Sequence, residues 1–352
     1  MARKIIVHIG QPKTGTTSLQ AALLKGQKHL LDQGILYPTP LFSINHGALV
    51  LPFRQEVQRS MMRFVGTDIR EARRRGRIYW RSVVEEAAMH DAGTVIISSE
   101  FIWGLRHLPK FYENLQTAFG SEAAIELMAY LCTPSQHYIS AAQQKLKMDH
   151  RLPIFRYSRL KRLKEVSDIA PLKLGKFSRD ALHEGDILSD FCLRYNIKTA
   201  NLRHRKKEAN TTISAEGMIL LQTYRRRNHS ERGDMPTDDT NRLLNAIARE
   251  EAANPGIYTR PKLRPEFAQY LDRDCQTFAC LRKAHGIDLH RGRGRRRIGT
   301  GRFRSRCVAP PAAGGAVVTA GSGVPSLRIS KITARPSRNC RAGRRTRRRS
   351  FP

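Results

Sequence analysis

The chain opens with an apolar, β-branched segment that gives way to a helical pattern. Residues 4–10 read Lys-Ile-Ile-Val-His-Ile-Gly and are followed by Gln-Pro, which predicts a buried strand that ends in a loop. Across residues 16–31 the apolar positions recur at helical spacing, and Thr and Ser stand at the start as capping residues. The first unit is therefore predicted to be a strand, a tight loop and a helix.

The alternation of strand and helix patterns continues through the first half of the chain. Residues 83–89 have the pattern of a helix end, and residues 94–98 and 124–131 are predicted to be buried strands. Pro134 suits the first turn of the helix that follows. This order predicts an α/β fold with a doubly wound parallel sheet flanked by helices. Residues 157–176 are too basic and irregular to assign. Three later segments are predicted to be helices: 187–195, 213–224 and 241–252.

Charge is distributed unevenly along the 352 residues, whose formal net charge is +33. Between Arg291 and the C-terminus there are 18 of the 63 Lys and Arg residues and no acidic residue, which leaves +15 for residues 1–290. The basic segment has little apolar periodicity and is predicted to be a disordered tail. We expect a folded domain at residues 1–289 and an Arg-rich tail at 290–352. Translation in a shifted reading frame would leave the same composition. The tail is therefore either a native disordered segment or the product of such a shift.

Cysteine spacing and the N-terminus bear on location. The six cysteines form no CxxC pair, so neither a zinc site nor a disulfide framework is indicated. The apolar stretch at residues 5–9 is shorter than the core of a signal peptide, and no apolar run reaches the about 20 residues of a membrane helix. The expectation is a cytoplasmic protein with free thiols and no membrane span.

A glycine-containing loop leads from the first strand into the first helix. A helix N-terminus offers unpaired backbone N–H groups and the positive end of the helix dipole to an anion. Lys13 adds a full charge, Gly15 permits close backbone approach, and Thr16, Thr17 and Ser18 add hydroxyl donors. This combination predicts a site for a phosphate or sulfate ester. Lys13 precedes Gly15, so the GxxxxGK[ST] pattern of ATP and GTP loops is absent.

The segment 8–20, His-Ile-Gly-Gln-Pro-Lys-Thr-Gly-Thr-Thr-Ser-Leu-Gln, resembles the 5′-phosphosulfate-binding motif of sulfotransferases, particularly the bacterial ones. The resemblance implies a P-loop-like fold that binds 3′-phosphoadenylyl sulfate as co-substrate and needs no metal. It also implies that Lys13 contacts the leaving phosphate bridge and that Thr16 and Thr17 hold the 5′-phosphate. The donor-binding residues expected on this basis are Pro12, Lys13, Thr14, Gly15, Thr16, Thr17 and Ser18.

A second motif of the same family places an Arg at the end of a central strand and a Ser eight residues later, and both hold the 3′-phosphate of the donor. Residues 130–144 resemble that region and Ser140 matches, but Cys132 stands at the Arg position. A neutral thiol cannot form the bidentate charged contact of a guanidinium, a loss of about 1.5–3 kcal/mol. Four later basic residues are candidates to replace it: Arg203, Arg205, Lys206 and Lys207.

Sulfuryl transfer to a hydroxyl also needs a base near the C-terminal edge of the sheet. Glu100 closes the strand Val-Ile-Ile-Ser-Ser-Glu and is the first candidate, since family members with this Ser-Ser-Glu segment look similar. A carboxylate that caps the following turn or pairs with a Lys or Arg is the equal alternative. His46, in Asn-His-Gly, is the second candidate base, although a lone loop histidine is more often structural. His8 lies within the first strand and is expected to be a hydrogen-bonded core histidine.

The leading functional hypothesis is in-line transfer of a sulfuryl group from 3′-phosphoadenylyl sulfate to a hydroxyl or amine of a small-molecule or carbohydrate acceptor. Three alternatives stay open. The first is a P-loop-like small-molecule kinase, which the missing GK[ST] disfavours. The second is a catalytically weak paralogue, suggested by Cys132. The third is a protein that binds polyanions nonspecifically through its basic tail, with strong salt dependence.

Overall fold

The computed structural model describes residues 2–57, 59–153, 158–199, 202, 213–231, 233, 235–273 and 275–289. The predicted tail at 290–352 and the candidate phosphate ligands Arg203, Arg205, Lys206 and Lys207 lie outside these residues.

The described residues form five strands and thirteen α-helices. The strands are β1 (Lys4–His8), β2 (Ile35–Leu36), β3 (Thr94–Ser98), β4 (Ala124–Leu131) and β5 (Leu172–Lys176). The helices are α1 (Thr16–Lys25), α2 (Gln27–Leu31), α3 (Arg59–Val65), α4 (Ile69–Met89), α5 (Glu100–Trp103), α6 (Leu108–Phe119), α7 (Pro134–Leu146), α8 (Ser158–Ser167), α9 (Ile187–Tyr195), α10 (Ala215–Asn228), α11 (Asp238–Ala253), α12 (Pro265–Leu271) and α13 (Cys275–His285). Two 3₁₀ helices lie at Gly47–Phe53 and His183–Gly185.

All strand pairs are parallel, and the strands lie side by side in the order β2-β3-β1-β4-β5. The chain therefore leaves the central strand β1 for β2 and β3 on one side, and then crosses to β4 and β5 on the other. In open α/β sheets, ligands bind outside the carboxyl ends of the strands at such a switch point. The topology confirms the predicted parallel α/β fold and places the end of β1 where a ligand is expected.

The two faces of the sheet are covered by different helices. Ile5 and Val7 of β1 are buried in a cluster that includes side chains of α4, α6 and α13, whereas Ile6 is buried with side chains of α1, α2 and α9. Adjacent residues of a strand point to opposite faces, so a strand covered on both sides reads as a continuous apolar run. This accounts for the unbroken apolar pattern from which β1 was predicted.

A third apolar cluster joins α7 to α10, α11 and α12, with Tyr138, Leu221 and Leu271 among its members. Arg225 of α10 is fully buried beside it. Its guanidinium donates to the carbonyl of Met148, just beyond the end of α7. These contacts fix the position of α7, whose N-terminus faces the carboxyl edge of the sheet.

Two sequence predictions are corrected by the fold. The helix expected over residues 16–31 is divided at Gly26, where an added Cβ would lie 1.9 Å from a methyl carbon of Leu202, so the chain has no room for a side chain at this point. The unassigned segment 157–176 contains α8 and the strand β5. Charged side chains such as Lys173, which pairs with Glu126 at 2.8 Å, mask the strand pattern of β5. No described helix is long and apolar enough to cross a membrane.

Candidate functional site

The loop after β1 and the first turn of α1, residues 9–18, form what we call the β1 corner. Its backbone is left-handed at Gly10, Lys13 and Gly15, with φ values of 48°, 74° and 75°. Gly15 is the N-cap residue of α1, and no side chain caps this helix, so the expected capping by Thr and Ser is wrong. Within the described part of the chain, no backbone or side-chain acceptor pairs with the amides of Thr16 and Thr17. These amides and the helix dipole are open to an anion.

The β1 corner is tied together from inside. The Thr14 hydroxyl donates to the carbonyl oxygen of Gln11 at 2.6 Å, and both side chains are buried. The side-chain oxygen of Gln11 accepts the amide of Cys132 at 3.0 Å, which fastens the loop to the end of β4. The Thr14 hydroxyl, expected among the donor-binding groups, is therefore used to shape the loop.

The remaining loop positions differ in exposure. Thr17 is exposed and Thr16 is buried, while Pro12 and Ser18 are half-buried. Gly15 has a second role besides close backbone approach: an added Cβ would lie 2.8 Å from the ring of Phe177 and 3.2 Å from Ile187. Later parts of the chain thus pack directly against the loop.

Lys13 reaches across to α7. Its ammonium group donates to the side-chain oxygen of Gln144 at 3.0 Å. Burial lowers the pKa of Lys13, the charge of Lys147 lowers it further, and the charge of Glu100 raises it. Ser140 precedes Gln144 by one helical turn and lies on the same face of α7. Lys13 therefore contacts this face of α7 and lies within electrostatic range of Glu100.

Glu100 is the first residue of α5, and its carboxylate accepts a hydrogen bond from the amide of Gln20 at 3.2 Å. The same amide nitrogen donates to the hydroxyl of Ser98 at 3.2 Å, and Ser98 is 2.8 Å from Nδ1 of His8. The side chain that caps α5 is that of Ser99. Capping, one of the two alternative roles for Glu100, is thus performed by its neighbour.

A cavity of about 260 Å³ lies beside Glu100 and Thr17. Its walls include Phe101 and the rings of Phe42 and Phe64, which stack with an interplanar angle of 10° and centroids 5.5 Å apart. Apolar and polar side chains share the lining: besides Glu100 and Thr17, the polar side chains are those of Gln20, Ser43 and Asn45. Such a shape suits a small ring that presents one polar group to Glu100.

His46, the second candidate base, is fully buried, and both of its ring nitrogens are used. Nδ1 accepts the amide of Ser98 at 2.9 Å, so Nε2 carries the proton and donates to the carbonyl of Pro38 at 2.8 Å. Burial lowers the pKa of His46 to about 4. The expectation of a basic role is therefore wrong: this histidine fastens its loop to β3.

His8 departs in part from its expected role as a hydrogen-bonded core residue. Its ring is fully buried and burial lowers its pKa to about 4. Nδ1 pairs with Ser98, but Nε2 has no hydrogen-bond partner among the described residues. An added Cβ on Gly10 would lie 3.8 Å from Nε2, so this atom sits directly under the β1 corner.

The end of β4 and the first turn of α7, residues 131–137, form the β4 corner. Thr133 and Gln136 cap α7 reciprocally, each accepting the backbone amide of the other. Asp272, just after α12, accepts the amide of Ser135 at 2.9 Å and its hydroxyl at 2.7 Å. The protein's own groups therefore satisfy the N-terminus of α7.

Cys132 is buried at this corner, and burial raises the pKa of its thiol to about 12, with a smaller contribution from the carboxylate of Asp272. The position expected to carry a cation for the 3′-phosphate thus holds a neutral thiol near a negative charge. Four residues of the site were not found from the sequence: Gln20, Gln144, Lys147 and Asp272. Gln20 and Gln144 fall at the ends of the segments 8–20 and 130–144 that carry the resemblance, whereas Lys147 and Asp272 lie outside both. The described residues contain no group of three His, Cys, Asp or Glu able to hold a metal ion.

No family model matches the chain, and no curated protein matches it. Among solved structures, a protein of the PezAT chromosomal toxin-antitoxin system of the human pathogen Streptococcus pneumoniae is similar over 72% of this chain and 86% of that chain. The two are 12% identical with a TM-score of 0.29. A likeness this low carries no argument about fold or function.

Proposed function

We propose that the protein is a sulfotransferase, which moves a sulfuryl group from 3′-phosphoadenylyl sulfate to a hydroxyl or amine of a small-molecule or carbohydrate acceptor. One observation carries the proposal: the uncapped N-terminus of α1, the ammonium of Lys13 and the carboxylate of Glu100 meet at the end of the central strand, beside a cavity. The resemblance of residues 8–20 to the sulfotransferase motif and the central position of β1 support a P-loop-like fold.

In this proposal the 5′-phosphosulfate of the donor binds at the β1 corner. The open amides of Thr16 and Thr17 receive the phosphate oxygens, since a helix N-terminus favours negative charge. Lys13 contacts the oxygen that bridges phosphorus and sulfur. As that oxygen leaves with the electron pair of the breaking S–O bond, negative charge grows on it and the ammonium stabilises it.

The acceptor occupies the cavity, with its hydroxyl or amine directed to the β1 corner. The acceptor oxygen or nitrogen forms a bond to sulfur while the bond between sulfur and the bridging oxygen breaks, and the acceptor proton passes to the carboxylate of Glu100. Gln20 positions this carboxylate by donating to it at 3.2 Å. The stacked rings of Phe42 and Phe64 offer an apolar wall to the acceptor.

One observation favours a second candidate, the catalytically weak paralogue. At the β4 corner, a buried thiol at Cys132 and the carboxylate of Asp272 stand where the resemblance implies a cation for the 3′-phosphate. Loss of such a charged contact weakens binding by about 1.5–3 kcal/mol. The donor is then held through its 5′-phosphosulfate, with reduced affinity.

Calorimetric titration of the full chain with adenosine 3′,5′-bisphosphate, without magnesium, tests donor binding. Lys13→Ala is expected to weaken binding about tenfold or more, because a charge-assisted contact is lost. Lys110→Ala, which removes an exposed lysine of α6, is the charge-matched control and should stay within about twofold of wild type. Absence of binding by wild type and by Cys132→Arg would sink the proposal. Preference for ATP with magnesium would favour the kinase.

Transfer of radiolabelled sulfate from the donor to a panel of phenols and monosaccharides tests the chemistry. Glu100→Gln keeps the shape of the side chain but cannot take up the acceptor proton, so the rate is expected to fall by about 10²–10⁴-fold while bisphosphate affinity is retained. Equal turnover by wild type and Glu100→Gln would remove Glu100 from the proposed mechanism.

A further inference from the structure

Lys147 follows α7 as its C-cap residue and is half-buried. Burial lowers the pKa of its ammonium group. Within the described part of the chain this ammonium makes no hydrogen bond and no ion pair. A positive charge that is partly withdrawn from water and has no carboxylate beside it is stabilised further when an anion binds to it.

The charge of Lys147 lies close to that of Lys13. Gln144, one helical turn before Lys147, accepts the ammonium of Lys13 at 3.0 Å, which brings the Lys13 side chain to this end of α7. The positive charge of Lys147 lowers the pKa of the Lys13 ammonium group. Two half-buried ammonium groups repel each other, and an anion between them would relieve the repulsion.

Lys145 of the same helix shows that such a charge can be paired here. Its ammonium lies 2.8 Å from the carboxylate of Asp149 and donates to the carbonyl of Gly233 at 3.0 Å. Lys145 therefore fastens α7 to the segment that follows α10. Lys147, two residues later, lies three positions after Gln144, the residue that accepts from Lys13, and so shares its face of the helix.

We infer that Lys13 and Lys147 form a two-lysine anion site that holds the sulfuryl end of the donor, and that Lys147 is a catalytic residue in contact with the transferred group. The inference rests on the proposed function. A phosphosulfate carries adjacent negative groups: Lys13 takes the bridging oxygen, and Lys147 takes oxygens of the sulfuryl group as it moves to the acceptor. A ligand with a single 5′-phosphate engages only the first of the two lysines.

Two ligands that differ only in the sulfuryl group separate this role from a general electrostatic one. Calorimetry would compare 3′-phosphoadenylyl sulfate with adenosine 3′,5′-bisphosphate on the full chain. Lys147→Gln is expected to weaken donor binding about tenfold and bisphosphate binding less than about twofold, and Lys147→Arg should retain most of the donor affinity. Lys110→Gln, the same charge change on exposed α6, is expected to leave both affinities unchanged.

A second readout needs no ligand. Removing the charge of Lys147 is expected to raise the pKa of Lys13, so labelling of Lys13 by an amine reagent, followed by mass spectrometry across pH, should shift to higher pH in Lys147→Gln and not in Lys110→Gln. Equal weakening of both ligands, or an unchanged labelling profile of Lys13, would overturn the two-lysine site. If wild type binds neither nucleotide, the transfer function itself is overturned, and this assignment with it.

Discussion

The β1 corner and the β4 corner lie side by side at one edge of the sheet, yet the protein treats their helix N-termini in opposite ways. At the β4 corner Thr133, Gln136 and Asp272 satisfy the first turn of α7. At the β1 corner the N-cap is Gly15, and no side chain caps α1. A glycine N-cap is only a few tenths of a kcal/mol less stabilising than a side-chain cap, so α1 leaves its first turn open at little cost in stability. The difference separates a corner built for stability from one open to a ligand.

The two corners also differ in backbone conformation. The β1 corner contains three left-handed residues, of which Lys13 is not a glycine. A non-glycine residue in this region costs on the order of 1–3 kcal/mol, and such strain concentrates at functional sites. Thr133, the N-cap residue of the β4 corner, has the ordinary extended conformation of a capping residue, with a φ of −61° and a ψ of 149°. Strain and open amides therefore occur together at one corner.

The largest expected effect comes from Gly15→Ala, which breaks the β1 corner. The alanine methyl would lie 2.8 Å from the ring of Phe177 at a φ of 75°, so unfolding free energy is expected to fall by about 2–4 kcal/mol and bisphosphate binding to be lost. The control Gly104→Ala, a position with open space around it, should change stability by less than about 1 kcal/mol. Chemical denaturation measures both. Equal stability of the two variants would mean that the corner is not tightly packed.

The second effect concerns the histidine beneath the β1 corner. The unfolded chain takes up a proton at His8 below about pH 6.5, whereas burial keeps the folded form neutral until about pH 4. Stability is therefore expected to fall as pH drops from 6.5 to 4, by about 1.4 kcal/mol per pH unit for this group. His46 adds a similar slope.

Denaturation at several pH values checks this expectation. His8→Gln should remove about half of the combined slope, whatever its effect on stability at neutral pH. His90→Gln, which replaces an exposed histidine, should leave the slope as in wild type. A slope that His8→Gln does not change would show that the ring is reached by water in the folded state.

The smallest effect comes from Asp272→Asn, which loosens the β4 corner. The amide oxygen of asparagine can still accept from Ser135, but without a charge, so a loss of about 1–2 kcal/mol is expected. Removal of this negative charge should also improve binding of adenosine 3′,5′-bisphosphate relative to adenosine 5′-phosphate. Asp168→Asn, at an exposed position after α8, is the matched control. An unchanged ratio of the two affinities would place the 3′-phosphate away from this corner.

The local pattern of apolar and polar residues was sufficient to predict the unit at the centre of the fold, which consists of β1, the following loop and α1. The β-branched run of β1, the loop around Gly15 and the start of α1 were all expected from neighbouring residues, because each depends on interactions within a few positions. Strands β3 and β4 followed from the same apolar runs. The close packing of Leu202 against Gly26, where the first helix divides, could not be foreseen, since Leu202 lies far along the chain.

The second half of the site escaped sequence reasoning for the same reason. Lys13 meets Gln144 across 131 positions, and Ser135 meets Asp272 across 137. No periodicity links such partners, because only the packing of α7 against the end of the sheet brings them together. His46 looked like a candidate base in a polar loop, and its burial and two hydrogen bonds became visible only in the fold.

At Lys13 the backbone conformation favours glycine, whereas the proposed chemistry needs the positive charge of lysine. Glycine there would relieve the strain of the 74° φ angle and remove the charge in the same substitution. A lineage that ceased to need the anion would gain stability by making that replacement, whereas one that still used it would keep a residue that the backbone disfavours. The lysine kept at position 13 is therefore a sign that the anion is still bound.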